Sequence, residues 1–160
     1  MLFDLDGTLL DTLEDLADSM NITLEKMGYP VHPVERYKVF VGDGMETEAR
    51  RALGAGGDEA TVARCLELSR AEYAKRWANK TRPYPGIAEL LDELQRRNIP
   101  KAIVSNKPDD FTQLTVKKLL GRWRWEAVTG VSERIAKKPD PAGALAAAAK
   151  IGIEPARVLY

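Results

Sequence analysis

The 160-residue sequence contains little cysteine, histidine or aromatic side chain: one cysteine, one histidine and 7% aromatic residues. A single cysteine excludes a disulfide framework within the chain and predicts a reducing, cytoplasmic environment. No apolar run reaches membrane-spanning length, and the N-terminus lacks the basic start and apolar core of a secretory signal. The 24 basic and 24 acidic residues cancel, so the composition supports neither a nucleic-acid partner nor a membrane-surface partner.

The rest of the composition is that of a globular protein, with 44% hydrophobic and 30% charged residues. Residues 1–5 predict a short buried strand. Beyond residue 83, the apolar stretches KAIVSN (101–106), WEAVTG (125–130) and RVLY (157–160) predict strands, and amphipathic segments between them predict helices. Strands that alternate with helices indicate a parallel sheet with right-handed crossovers.

The interval between the predicted strand at residues 1–5 and the predicted strand at residues 101–106 is too long for one crossover connection and is rich in helical periodicity. Its first predicted helix carries apolar residues at three- and four-residue spacing, namely Leu13, Leu16, Met20, Leu24 and Met27. Gly28 follows at the position of a C-terminal cap. We therefore predict an α/β fold, with a Rossmann-like parallel sheet core formed by residues 1–12 and 83–160 and an α-helical domain inserted as residues 13–82.

Polar and charged residues follow each predicted strand, and in an open parallel sheet ligands bind beyond the carboxyl ends of the strands. The residues in question are Asp4, Asp6, Gly7 and Thr8 after the first strand, Ser105, Asn106 and Lys107 after the second, and Lys137, Lys138 and Asp140 after the third. Carboxylates, a hydroxyl and a lysine at one sheet edge suit a phosphate group together with a divalent cation.

These residue types are sufficient for phosphoester hydrolysis in two steps. One carboxylate can attack phosphorus and form an aspartyl-phosphate. At a strand end the chain turns, so the second carboxylate can reach the leaving oxygen, protonate it, and later deprotonate water. Two acidic groups facing an anionic substrate need countercharge, which predicts Mg²⁺ and a lysine. Gly7 allows a turn that directs backbone amides toward the phosphate.

The segment FDLDGTLLDT (3–12) resembles the first signature motif of the haloacid dehalogenase superfamily, and VSN (104–106), KKPDP (137–141) and RVLY follow in the order of its later motifs. A helical insert after the first motif resembles the type 1 cap of this superfamily. The resemblance implies that Asp4 is the nucleophile, Asp6 the general acid/base, Ser105 a phosphate ligand, and Lys138 the link between phosphate and nucleophile. It also implies that Mg²⁺ binds the Asp4 carboxylate and the Asp6 carbonyl, and that Gly7, Thr8 and Asn106 contribute to phosphate binding.

An acid at position 6 distinguishes phosphoester chemistry from the dehalogenases and phosphonatases of the superfamily, whose leaving groups need no such proton. The pieces FVGDGM, RPYPG, AIVSNKPD and AKKPDPAGAL are most similar to bacterial phosphoglycolate phosphatases. The resemblance therefore implies a magnesium-dependent phosphatase that acts on a small phosphorylated metabolite, with 2-phosphoglycolate as the leading substrate.

Two alternatives remain open at this stage. One is a phosphomutase of the β-phosphoglucomutase type, and the other is a catalytically inactive binding or assembly module. The second alternative arises because similar proteins continue beyond residue 160 into a fourth motif that supplies another magnesium carboxylate. We accordingly expect a longer polypeptide or a truncated chain, or a second copy that pairs with the open sheet edge.

Several nearby residues have simpler interpretations. Asn106 and Lys107 can shape the loop without touching substrate, and Lys137 is expected at the surface. His32, between two prolines of the insert, is expected to be structural. The VGDG segment (41–44) is equally compatible with an exposed turn and with a helix N-terminus that faces an anionic substrate.

Overall fold

A computed structural model describes residues 1–160, which form two compact units. The α/β unit consists of Met1–Asp11 and Arg82–Tyr160, and the helical unit consists of Thr12–Thr81. In chain order the elements are β1 (Leu2–Phe3), β2 (Leu10–Asp11), α1 (Leu13–Met27), α2 (Met45–Leu53), α3 (Glu59–Arg76), β3 (Arg82–Pro83), α4 (Ile87–Arg96), β4 (Ala102–Pro108), α5 (Asp109–Leu119), β5 (Ala127–Val131) and α6 (Ala142–Ile151). Short 3₁₀ helices span Val34–Val39, Gly54–Gly56 and Pro155–Arg157.

The main sheet of the α/β unit is parallel, in the order β1-β4-β5, which confirms the predicted fold class. Leu2 pairs with Ala102 and Ala102 with Ala127, so the three strands begin level with one another. Most residues of β4 are buried, and β1 and β5 are buried in part, because helices follow the strands in sequence and pack back on the sheet. The polar residues that follow β1, β4 and β5 consequently emerge at the same edge.

One expectation about strands was wrong, and one strand pair was not predicted. The segment RVLY (157–160) was predicted to form a strand, but residue 157 ends a 3₁₀ helix and residues 158–160 have no regular secondary structure. The ladder-like contact there is the hydrogen bond from Leu2 N to Leu159 O (2.8 Å). The antiparallel pair β2–β3 was not predicted, because strands of two residues are too short to show alternation. Leu10 faces Pro83 and Asp11 faces Arg82, so this pair joins the two chain segments of the α/β unit.

A continuous apolar core supports the sheet edge that carries the polar residues. Its fully or nearly fully buried members are Leu5, Leu9, Leu10, Leu91, Leu94, Ile103, Val116, Leu120 and Trp123. Leu5 separates the two aspartates of the first motif and is 0% exposed. Burial of Leu5 therefore anchors the loop between Asp4 and Asp6 to the core.

The helical unit confirms α1 in the predicted position, with Gly28 ending it in the left-handed conformation (φ 76°). His32 lies in this unit, where its Nε2 is 2.8 Å from the carbonyl of Ala52 and its ring packs edge-on against Phe40. No helix of either unit combines the length and the hydropathy that a bilayer span requires.

A buried carboxylate joins the first and last residues of the helical unit. Asp15 is 1% exposed and accepts hydrogen bonds from the amides of Lys80 (3.0 Å) and Thr81 (2.8 Å) and from the Thr81 hydroxyl (2.7 Å). These bonds satisfy backbone donors that would otherwise be buried without partners. Asp15 therefore fixes the start of α1 to the segment that leaves the unit.

We expect Asp15→Ala to destabilise the helical unit by roughly 2–4 kcal/mol, because two buried donors of Thr81 and the partly buried amide of Lys80 lose their acceptor. Hydrogen–deuterium exchange of the α1 and α3 amides measures this change. Asp18→Ala is the matched control, since Asp18 makes a partly exposed ion pair with Lys80 (2.8 Å), and exposed ion pairs contribute little to stability. Equal protection in both variants would show that the Asp15 bonds contribute nothing.

Candidate active site

The sheet edge at the carboxyl ends of β1, β4 and β5 brings together the polar residues of three separate sequence segments. Asp4 and Asp6 follow β1, Ser105 and Asn106 lie in the second half of β4, and Lys138 lies in the loop after β5. The contacts between these segments are direct hydrogen bonds and ion pairs. The order of strands in the sequence predicts that they share one edge, and these contacts join them there.

Lys138 and Asp4 form the contact at the centre of this edge. The Lys138 ammonium lies 2.7 Å from Oδ2 of Asp4, and it also donates to the carbonyl of Val104 (3.3 Å) and the hydroxyl of Tyr160 (2.9 Å). Burial by itself would lower the pKa of Lys138, but the hydrogen bonds to Asp4 and Tyr160 outweigh it and raise the pKa above the ordinary lysine value. Lys138 is therefore a fixed positive charge beside Asp4.

Asn106 holds the main chain of Lys138 in place. The Lys138 amide donates to Oδ1 of Asn106 (2.6 Å), and the Asn106 carboxamide donates to the Lys138 carbonyl (3.4 Å). Ser105 is 5% exposed, and its hydroxyl accepts a hydrogen bond from the Lys107 amide (3.2 Å). The sequence prediction placed Ser105 and Asn106 together, and the structure shows that Asn106 also orients the lysine loop.

Lys107 was predicted only to shape the loop, but it contacts the second aspartate. Its ammonium donates to both carboxylate oxygens of Asp6 at 2.9 Å, and its side chain is 3% exposed. The spacing of Ser105 and Lys107 could have predicted this contact, because residues two apart on a strand share a face. It places Lys107 on the same face of the strand as Ser105, the predicted phosphate ligand.

The loop after Asp6 turns sharply at Gly7, which has a φ of 74°, a conformation that favours glycine. The Gly7 amide donates to the carbonyl of Leu10 (2.9 Å) and the Thr8 amide to that of Leu5 (3.4 Å). Both amides are thus used inside the loop. Thr8 and Asp4 also line a pocket of about 320 Å³.

The other residues named after the third predicted strand lie outside these contacts. Lys137 is exposed, as expected. Asp140 accepts a hydrogen bond from the amide of Ala142 (2.8 Å), which is the first residue of α6. Pro141 between them is the N-cap residue of the helix.

No group of three or more His, Cys, Asp or Glu side chains in the chain is arranged to hold a metal ion. The oxygen donors available at the edge are the carboxylate of Asp4 and the carbonyl and carboxylate of Asp6. Mg²⁺ is usually bound by one or two protein carboxylates while it keeps several waters. The donor set therefore fits Mg²⁺ in chemical type, as a partial set of ligands.

In open α/β sheets, ligands bind beyond the carboxyl ends of the strands, which is the edge where Asp4, Ser105 and Lys138 lie. Residues 1–160 match the family model described as haloacid dehalogenase-like hydrolase. The chain belongs to this family, which confirms the resemblance drawn from the motifs.

Curated relatives agree with this assignment. A phosphoglycolate phosphatase of Pseudomonas syringae pv. tomato is 34% identical over 167 residues, which cover 100% of this chain and 60% of the relative. An N-acetylmuramic acid 6-phosphate phosphatase of Pseudomonas aeruginosa is 31% identical and is covered to 71% of its length. The chain thus spans about three fifths of the length of the first of these relatives.

Solved structures show the same fold. A crystal structure from Lactobacillus delbrueckii subsp. bulgaricus superposes with a TM-score of 0.90 at 30% identity, over 96% of this chain and 73% of that one. A predicted phosphoglycolate phosphatase from Haemophilus somnus superposes with a TM-score of 0.85 at 26% identity, over 95% and 71% of the two chains. The similarity therefore includes the helical unit as well as the sheet.

Proposed function

We propose that the protein is a magnesium-dependent phosphatase that hydrolyses a small phosphorylated metabolite through an aspartyl-phosphate intermediate. The observation that carries this proposal is the 2.7 Å ion pair between Lys138 and Asp4 at the carboxyl edge of the sheet. A carboxylate fixed by an ammonium is oriented for attack, and the same ammonium offers countercharge to a phosphate.

In the first step, an oxygen of Asp4 attacks phosphorus and the bond from phosphorus to the leaving oxygen breaks, while Asp6 donates a proton to that oxygen. In the second step, water attacks the phosphorus of the aspartyl-phosphate and gives its proton to Asp6. The bond to Asp4 then breaks and releases phosphate. Lys138 neutralises charge in both steps. The Ser105 hydroxyl, with Asn106 beside it, hydrogen-bonds the phosphate oxygens.

The carboxylate of Asp4 and the main-chain carbonyl of Asp6 would hold Mg²⁺. When bound, the ion supplies positive charge for the phosphate oxygens. The hydrogen bonds from Lys107 hold both carboxylate oxygens of Asp6 in a defined position. Asp6, the proposed proton donor and acceptor, is therefore oriented before the substrate binds.

The substrate class follows from the relatives. Two relatives of 34% and 31% identity are named for phosphoglycolate and for N-acetylmuramic acid 6-phosphate. Both are small anionic phosphomonoesters, and 2-phosphoglycolate is our leading substrate because several similar proteins carry that name. We further propose that the helical unit serves as the cap that covers the substrate and excludes water during phosphoryl transfer.

Lys107→Met is expected to lower kcat/KM by about 10- to 100-fold, because Asp6 loses its positioning contact. The measurement is the rate of phosphate release, at saturating Mg²⁺, from the phosphomonoester that the parent protein hydrolyses with the highest kcat/KM. Lys117→Met, at an exposed position of α5, is the control and should keep the parent rate. If both variants had the parent rate, Lys107 would have no part in the reaction.

A phosphate-release screen over small phosphomonoesters, with phosphoglycolate and amino-sugar phosphates included, tests the proposed function. We expect Mg²⁺-dependent release that EDTA abolishes. Single-turnover product analysis separates the phosphomutase alternative, in which the phosphoryl group returns to a sugar instead of appearing as free phosphate. Absence of release from every phosphoester, with the fold intact, would contradict the proposal and favour the inactive-module alternative.

A further inference from the structure

The opposite end of β4 carries a buried lysine that the phosphatase chemistry does not use. Lys101 directly precedes β4, whereas Ser105 and Lys107 lie toward the other end of the same strand. Lys101 is 2% exposed, although lysine is almost never fully buried without a partner. Its position is fixed by the sheet, since its carbonyl accepts a hydrogen bond from the Glu126 amide (2.9 Å).

The ammonium of Lys101 has no hydrogen bond or ion pair within the protein. Its electrostatic compensation comes from the face of Trp125, whose ring centroid lies 5.7 Å away, and from the Glu126 carboxylate, which does not reach ion-pair distance. Burial lowers the pKa of Lys101, while Glu126 opposes this shift and Arg124 adds to it. An ammonium on a nearly buried residue without a direct ion pair is electrostatically unfavourable, so an added anion would be stabilised there.

The nearby carboxylate is already engaged. Arg124 binds both oxygens of Glu126, through Nε at 2.9 Å and through its terminal nitrogen at 3.2 Å. Glu126 is therefore held toward Arg124 and not toward Lys101. Among the side chains here, the cations of Lys101 and Arg124 outnumber the carboxylate of Glu126 by one charge.

A pocket of about 90 Å³ opens beside Lys101. Its polar lining consists of Gln95, Asn98, Lys101, Arg124 and Glu126. The side-chain oxygen of Gln95 accepts a hydrogen bond from the backbone amide of Arg124 (2.8 Å). The side-chain NH₂ group of Gln95 is therefore left to donate elsewhere. The Asn98 carboxamide makes no hydrogen bond within the protein, so its amino group is also available to a ligand.

We propose that this pocket is a binding site for a small oxyanion, a phosphate or carboxylate group, which Lys101 binds and which Asn98 and Gln95 hydrogen-bond. The site is separate from the proposed active site, because the two lie at opposite ends of β4. The proposal is independent of the proposed function, and a protein without phosphatase activity would still bind the anion. The pocket volume restricts the ligand to a group of a few heavy atoms.

Titration of the isotopically labelled full chain, followed by ¹H–¹⁵N NMR, tests the site residue by residue. Inorganic phosphate is the probe in one arm and acetate in the other, which distinguishes a phosphate site from a carboxylate site. We expect saturable shifts of the amides of Lys101 and Arg124 and of the side-chain amide of Asn98. Shifts confined to the residues around Asp4, Ser105 and Lys138, or no saturable shift with either anion, would overturn the proposal.

Three variants are expected to change the affinity for the anion, two of them downward and one upward. Lys101→Met should weaken binding by at least about 10-fold, the equivalent of one charged hydrogen bond. Glu126→Gln removes the competing carboxylate and should tighten binding by about 3-fold or more. Arg124→Gln, at a side chain 79% exposed, releases Glu126 toward Lys101 and should weaken binding without loss of folding. Equal affinity in all three would overturn the site, because a purely structural lysine would not produce changes of opposite sign.

Discussion

Replacing Asp4 by asparagine is expected to lower kcat/KM for the best phosphoester by about 10⁴-fold or more, because the variant cannot form the aspartyl-phosphate. The substitution keeps the side-chain volume and the oxygen that accepts from the Leu5 amide (2.7 Å). The loss should therefore appear in the rate and not in the unfolding temperature. Phosphate release and thermal unfolding, measured on the same preparation with Mg²⁺, separate the two effects.

Asp11→Asn is the matched control for Asp4→Asn. Asp11 belongs to the same sequence motif, but its carboxylate makes only a long ion pair with Arg82 (3.6 Å) at the β2–β3 pair. We expect its kcat/KM to stay within about 2-fold of the parent value, since a surface ion pair contributes little. If both variants lost activity equally, the attack could not be assigned to Asp4.

Lys138→Met is expected to lower kcat/KM by roughly 10²- to 10³-fold, because it removes the charge beside Asp4 that the proposed mechanism also uses to neutralise the phosphate. The affinity for phosphate, a product of the reaction, should fall as well. Rates measured over a range of substrate concentrations, together with product inhibition by phosphate, report both consequences. The apolar stem of methionine preserves the packing of the lysine side chain.

The adjacent lysine gives a control within the same dipeptide. Lys137 is exposed, so Lys137→Met should retain the parent kcat/KM and the parent phosphate inhibition. The reverse result, in which Lys137→Met is inactive and Lys138→Met is active, would show that the loop is used differently from the way the structure indicates. It would also contradict the Lys138–Asp4 contact as the basis of the site.

Much of the fold could be predicted from the sequence because its signals are local. Apolar spacing and a terminal glycine defined α1, and an apolar run defined β4. The alternation of strands and helices was sufficient for the parallel sheet. The two-residue strands β2 and β3 were missed, because their pairing depends on tertiary contacts and leaves no pattern in the sequence.

The candidate site was predictable where charged residues follow a strand, and less so where a contact joins distant segments. Asp4, Asp6 and Lys138 were named from motifs, and the structure brings Lys138 to Asp4. Lys107 was treated as a loop residue, yet it lies 101 positions from its partner Asp6 in sequence. Lys101 is a comparable case, since only the three-dimensional structure shows that the residue is nearly buried and that its ammonium makes no ion pair.

The central claim is that Asp4 carries the phosphoryl group during turnover. Rapid acid quench of the enzyme with substrate and Mg²⁺, followed by borohydride reduction and peptide mass spectrometry, measures this directly, because reduction converts an aspartyl-phosphate to homoserine. The account predicts homoserine at position 4 during turnover and none without substrate. Turnover with unmodified Asp4, or with the label at another residue, would contradict it.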